Sequence, residues 1–148
     1  VVVEHPPDWW AADEAVVANR KQLVQVADSY PSGIQSGNSS AVLAAKDCPR
    51  FENGVKTTPS CAGNMELFIW PVTDRRWVAD TQKGVVMGSF FFNYRDGKGT
   101  MNKQGIRSAN GTTGLWLHEY FKIREGKIVD VWAAMQTLDW RYKDVWGV

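Results

Sequence analysis

The hydrophobic period of the chain changes once, near Asp47, from that of a helix to that of strands. Upstream, Val16, Leu23, Ala27, Tyr30 and Ile34 follow steps of seven, four, three and four residues, which places them on one stripe of a helix over residues 9–37. Pro31 removes one i→i−4 bond, so a kink or a break into two helices is expected there. Asn38 is placed to cap a short second helix over 39–46. Downstream, a short strand over 47–52 ends in Asn53-Gly54, a strong turn signal. Residues 65–80 are rich in β-branched and aromatic side chains and turn across 81–84 into a second strand over 85–94. Segments 115–124 and 127–138 form a hairpin across Glu125-Gly126. Helices followed by about five mostly antiparallel strands make an α+β fold, with the helices on one face of a curved sheet.

The 148 residues read as one domain, 1–148, with an extended arm at 1–8, a long glycine-rich loop or lid at 96–114 and a packed tail at 139–148. Lys and Arg number 17 against 16 Asp and Glu, so the basic face of a nucleic-acid binder is not expected. No run approaches the ~18 apolar residues of a membrane span. Eight Trp are many for a chain of this length, and such rings either fill a core or line a cavity for a flat apolar ligand.

Cys48 and Cys61 enclose twelve residues that contain two turn signals. A disulfide between them would contribute about 3 kcal/mol in the chain-entropy model; the alternative is two free thiols. The sequons Asn38-Ser39-Ser40 and Asn110-Gly111-Thr112 lean toward an oxidising compartment, so a secreted or extracytoplasmic protein is expected.

Three places can carry chemistry. Alternation along the strand puts Leu117, Glu119, Phe121 and Ile123 on one face, so Glu119 is a carboxyl on an apolar surface, neutral or paired with Arg50, Arg75 or Arg76. Tyr30 lies on the apolar stripe of the helix, and its inward hydroxyl needs a partner, as in any core tyrosine. Arg50 and Glu52 share one side of a strand and can form an ion pair, with Phe51 on the other side. Alternation does not settle which side faces the core. His5 and His118 are the only histidines, without metal-ligand spacing, and there is no phosphate-cradling loop or nucleophile elbow; neither a metal nor a cofactor is expected.

The strings Ala27-Asp28-Ser29-Tyr30 through Ile34-Gln35-Ser36-Gly37-Asn38, Cys48-Pro49-Arg50-Phe51-Glu52-Asn53-Gly54-Val55, Asp74-Arg75-Arg76-Trp77-Val78-Ala79-Asp80, and the stretch from His118-Glu119 to Lys127-Ile128 stand in this order along the chain. Together they resemble the SnoaL-like branch of the nuclear transport factor 2-like superfamily, and within it a mainly fungal, often secreted subgroup. The resemblance covers roughly residues 12–138. It implies a cone, a bent sheet wrapped around a long helix and enclosing an apolar pocket. Set against the ketosteroid isomerase pattern, Tyr30 matches the oxyanion-donating tyrosine, Glu52 the general-base aspartate and Glu119 the protonated aspartate. Glu stands for Asp at two of these positions, and Pro31 follows the tyrosine.

These readings combine into a cofactor-independent lyase, isomerase or dehydratase acting on a hydrophobic, aromatic or polycyclic small molecule. Glu52 is the base, Tyr30 and Glu119 the donors, and Arg50 positions Glu52; Trp77, Phe91, Trp132 and His118 are the expected substrate wall. The alternative is a non-catalytic binding or interaction domain of the same fold. The resemblance also implies a homo-oligomer, with a dimer favoured, and the row His118, Tyr120 and Trp132 would suit an interface as well as a wall.

Overall fold

Asn19 decides where the first helix begins. Its backbone is extended, its side chain accepts from Gln22 N, and the Gln22 side chain accepts from Asn19 N, a reciprocal capping box. The computed structural model describes residues 19–65, 68, 69, 71–92, 100, 101 and 113–139. In it α1 spans Arg20–Ser36 and ends at Gly37 in the left-handed region. Helix α1 thus begins at the Asn19 cap, inside the expected 9–37; the expected helical residues 9–18, Val16 among them, the arm at 1–8 and most of the tail lie outside the described residues. Nor does Pro31 break the helix. It removes a single hydrogen bond, while Ala27, Tyr30, Gly33 and Ile34 on either side are buried and hold both halves in place.

The second helix over 39–46 is replaced by a 3-10 turn, Ser39–Ala41, capped by the Asn38 side chain. The backbone after it is drawn away to pair with Ile128, which donates to Leu43 O and accepts from Ala45 N. Among the described residues eight strands follow: β1 Arg50–Glu52, β2 Val55–Thr58, β3 Phe68–Ile69, β4 Val72–Asp80, β5 Val85–Phe92, β6 Thr100–Met101, β7 Thr113–Arg124 and β8 Lys127–Asp139. The single strand expected over 65–80 is split around Pro71, which has no N–H to offer a ladder. Within the expected loop at 96–114, β6 pairs with β3 and β7 already begins at Thr113; the rest of that segment lies outside the described residues.

Six strands form one sheet in the order β2-β1-β8-β7-β5-β4, antiparallel throughout except that β1 runs parallel to β8. Helix α1 packs on one face of this sheet, touching β4, β5, β7 and β8. The helix stripe Leu23, Val26, Ala27, Tyr30 and Ile34 meets Phe90, Phe92, Leu117, Phe121, Ile123 and Val131 in the main core. A second, smaller cluster of Phe51, Val85 and Trp132 is separate from it, with Phe51 and Trp132 stacked at 4.1 Å. The fold is α+β, a helix laid on a mostly antiparallel sheet. No helix among the described residues is long and apolar enough to cross a membrane.

Cys48 and Cys61 form a disulfide that closes the base of the β1–β2 hairpin, backed by the backbone bond from Cys61 N to Cys48 O. Replacing both by Ser should lower the unfolding free energy by about 3 kcal/mol. Urea denaturation of oxidised wild type against the double variant measures it; equal midpoints would show that the cross-link constrains nothing.

Candidate active site

One cross-strand row organises the inner face. Trp77 on β4 pairs with Gly88 on β5, Gly88 with Glu119 on β7, Glu119 with Ala133 on β8, and Ala133 with Glu52 on β1. Two of these five residues are the smallest available. A Cβ at Gly88 would come within 2.5 Å of the Trp77 ring, so the indole occupies the place that a side chain at 88 would fill. A glycine inside a strand rich in β-branched and aromatic residues is the sequence signal that could have pointed to this close approach.

Glu119 is completely buried, as alternation required. Of its three candidate partners, Arg75 is engaged elsewhere, bonded to Asp28 at 2.9 Å, Ser32 and Gln35 on α1. Arg50 is the guanidinium that approaches. Its Nη2 lies 2.8 Å from Glu52 Oε1 and 3.7 Å from Glu119 Oε1, and its Cζ sits 5.6 Å from the centre of the Tyr30 ring. Tyr30 is also fully buried, with its ring 5.4 Å from that of Phe121. The four residues Tyr30, Arg50, Glu52 and Glu119, scattered over 90 positions of sequence, therefore converge on one guanidinium.

Tertiary structure resolves the direction of Glu52. Phe51 is buried, but on the outer face, against Trp132, and this turns Arg50 and Glu52 inward. The Glu52 side chain keeps 29% of its surface exposed, that of Arg50 16%, and that of Glu119 none. The carboxyls thus occupy unequal environments, one near solvent and one sealed.

Their chemistry follows. Burial raises the Glu119 pKa to about 7; Arg50 lowers it and Glu52 raises it again. The acid is therefore neutral below about pH 7 and has a proton to donate. Burial also pushes the Tyr30 hydroxyl well above its usual range, so it too remains a neutral donor. Burial works against the Arg50 charge, but Tyr30, Glu119 and Glu52 together outweigh it and leave its pKa raised. Among the described residues the Tyr30 hydroxyl, Arg50 Nε and both Glu119 oxygens have no hydrogen-bond partner. Buried polar atoms are rarely left so. The arrangement offers two neutral donors beside one carboxylate. No three His, Cys, Asp or Glu side chains among the described residues cluster as a metal site.

Of the expected wall, only Trp77 stands in this row, tilted against Phe90 and Phe121. Phe91, His118 and Trp132 are corrected to the opposite face, because their register partners are Trp116, Ser89 and Tyr120 and each is one step out of phase with the inward row. Phe91 rests over Gly114 and near Trp116, and the Trp116 indole donates to His118 Nε2 at 2.9 Å. Sequence reasoning placed these aromatics by composition, which does not distinguish the two faces of a sheet.

Residues 17–135 match the family described as Domain of unknown function (DUF8021). No curated protein matches the sequence. Among solved structures, a candidate polyketide cyclase from Xanthomonas campestris pv. campestris is similar at TM-score 0.57 and 18% identity, over 79% of this chain and 92% of that one. An LEH-like epoxide hydrolase from M. tuberculosis is similar at TM-score 0.55 and 11% identity, over 78% and 84%. An NTF2-like protein of unknown function from Cytophaga hutchinsonii is similar at TM-score 0.56 and 9% identity, over 77% and 89%. Identities this low speak for the fold alone. The chain therefore belongs to the DUF8021 family, and its helix and six-stranded sheet have the fold of the NTF2-like superfamily.

Proposed function

We propose that the protein is a cofactor-independent acid–base enzyme, a lyase, isomerase or dehydratase, acting on a hydrophobic aromatic or polycyclic carbonyl compound. The observation that carries this reading is the convergence on Arg50 of a sealed acid, a half-shielded carboxylate and a tyrosine whose hydroxyl is unpartnered. Glu52 removes a proton from the carbon next to the carbonyl, and the electron pair moves onto the carbonyl oxygen. Tyr30 and Glu119 donate hydrogen bonds to that developing oxyanion. The proton then returns at another carbon, or a leaving oxygen departs. The binding-module alternative expects no open pocket and Tyr30 and Glu119 hydrogen-bonded to each other or to an arginine; Arg50 at 3.7 Å from Glu119 is within ion-pair range but is not a hydrogen bond. The Cys48–Cys61 disulfide supports a secreted or extracytoplasmic setting.

Incubation in D2O with a panel of hydrophobic cyclic ketones, read by NMR, tests the proton-abstraction step directly. Enzyme-dependent deuterium incorporation at the carbon next to the carbonyl supports the reading. Ligands retained in native mass spectrometry without any exchange would instead establish a non-catalytic binding domain. In the same assay Tyr30→Phe should slow exchange by roughly 10²-fold while folding normally, since it removes one donor and no apolar packing. An unchanged rate would take Tyr30 out of the mechanism.

A further inference from the structure

The strand that carries Arg50 and Glu52 has a weak hold on the sheet. β1 is three residues long, and its ladder with β8 stops at the pair Glu52 and Ala133. Beyond that point the chain turns away into β2, through Asn53 and Gly54 at φ 48° and 81°. The β8 backbone past Ala133 would then present its polar groups at an open edge. The Asn53 side chain covers them. Its Oδ1 accepts from Met135 N at 2.9 Å, its Nδ2 donates to Met135 O at 3.3 Å, and its own backbone N–H donates to Ala133 O at 2.8 Å. A side-chain amide thus continues the pairing that a longer β1 would have made.

We infer that Asn53 is the positioning residue of the acid–base pair, its amide clamp on Met135 setting the β1 hairpin so that Glu52 and Arg50 stand against Glu119. This rests on the catalytic reading above only for its consequence in turnover; the clamp itself is a matter of geometry. The residue next to Glu52 in the chain is the one clamped, so a loosened clamp moves the carboxylate first. At the other end of β1, Val131 N donates to Pro49 O at 3.1 Å, and the Cys48–Cys61 disulfide holds the hairpin base closed. The first ties the near end of β1 to β8, and the second keeps the hairpin closed. The Phe51–Trp132 stack and the last ladder pairs share with Asn53 the task of holding its far end on β8.

The competing role is purely local, because asparagine before glycine is also the preferred pair for a tight hairpin turn. Asn53→Gly separates the two, since glycine adopts positive φ without strain and keeps the turn while deleting the amide. The titratable groups set against Glu119 are Arg50 and Glu52 from β1 and Tyr30 from α1. Displacing β1 removes burial and Glu52, which raise this carboxyl, together with Arg50, which lowers it; since their sum holds it high, its midpoint falls.

The experiment uses protein labelled with carbon-13 in glutamate, with the Glu119 carboxyl titrated by NMR and the Met135 amide followed by hydrogen exchange. In Asn53→Gly the Met135 amide should exchange at least about tenfold faster, and the Glu119 midpoint should drop by at least about one pH unit, with core amides such as that of Phe121 still protected. A Met135 amide as slow as in wild type, or a Glu119 midpoint that does not move once Met135 is freed, overturns the inference. If the midpoint moves as expected but Glu52→Gln leaves exchange chemistry intact, the positioning role stands and the catalytic reading falls.

Discussion

Glu52→Gln should abolish catalysed carbon–hydrogen exchange, with a loss of 10²- to 10⁴-fold, the usual contribution of a positioned general base. The substitution changes no volume and leaves the amide within reach of Arg50, so the hairpin keeps its shape. Its effect on Glu119 strengthens the result. The Arg50 guanidinium, now held at 2.8 Å by Glu52, is left with Glu119 as its nearest carboxyl at 3.7 Å. Arg50 lowers the Glu119 pKa and Glu52 raises it, so removing the Glu52 charge shifts Glu119 downward and weakens the donor as well. Stability should change by only about 1 kcal/mol, because Glu52 is partly solvated and its ion pair is screened. The paired readout is the exchange rate and a urea midpoint. A variant that exchanges at the wild-type rate removes Glu52 from any catalytic role.

The second large effect is a pH dependence of stability that belongs to one residue. In the unfolded chain Glu119 ionises around 4.5, while in the native fold burial delays ionisation to about 7. Between those values the native state binds the extra proton, so stability must fall as pH rises through the window. The contribution is fully present below about pH 4.5 and lost above about pH 7. Each pK unit is worth about 1.4 kcal/mol, which makes the whole effect roughly 3 kcal/mol. Glu119→Gln cannot ionise and should remove that slope. Urea denaturation of both proteins at intervals from pH 4.5 to 8 gives the difference curve. Two parallel curves would mean that Glu119 is charged in the fold at neutral pH. Turnover should decline as pH rises through about 7, because the ionised acid no longer donates.

How much of this site was legible beforehand depends on how local each signal is. The burial of Tyr30 and Glu119 could be read directly, one from a helical stripe and one from strand alternation, because the neighbours that define each face are adjacent in sequence. The facing of Glu52 could not. Alternation assumes that a strand has one apolar side, and β1 buries Phe51 on the outer face while burying Arg50 on the inner one. For the same reason Phe91 and Trp132 were misplaced, since aromatic residues occupy both sides of this sheet. The continuity of α1 through Pro31 was hidden too; a propensity penalty confined to one residue was outweighed by packing along the whole stripe.

What the amino-acid order determined by itself is the set of elements and the faces of those that bury a single side: helix α1, the β7–β8 hairpin, the turn at Asn53-Gly54, and an acid on an apolar row. Tertiary structure alone decided that β1 docks parallel to β8, that Gly88 admits the Trp77 ring into the row holding Glu119, and that Arg50 reaches both glutamates and Tyr30. The physical reason is range. Periodicity records contacts between residues a few positions apart, whereas the pairing of residue 52 with residue 133 is chosen by the free energy of the whole sheet, in which no short stretch of chain has the deciding share.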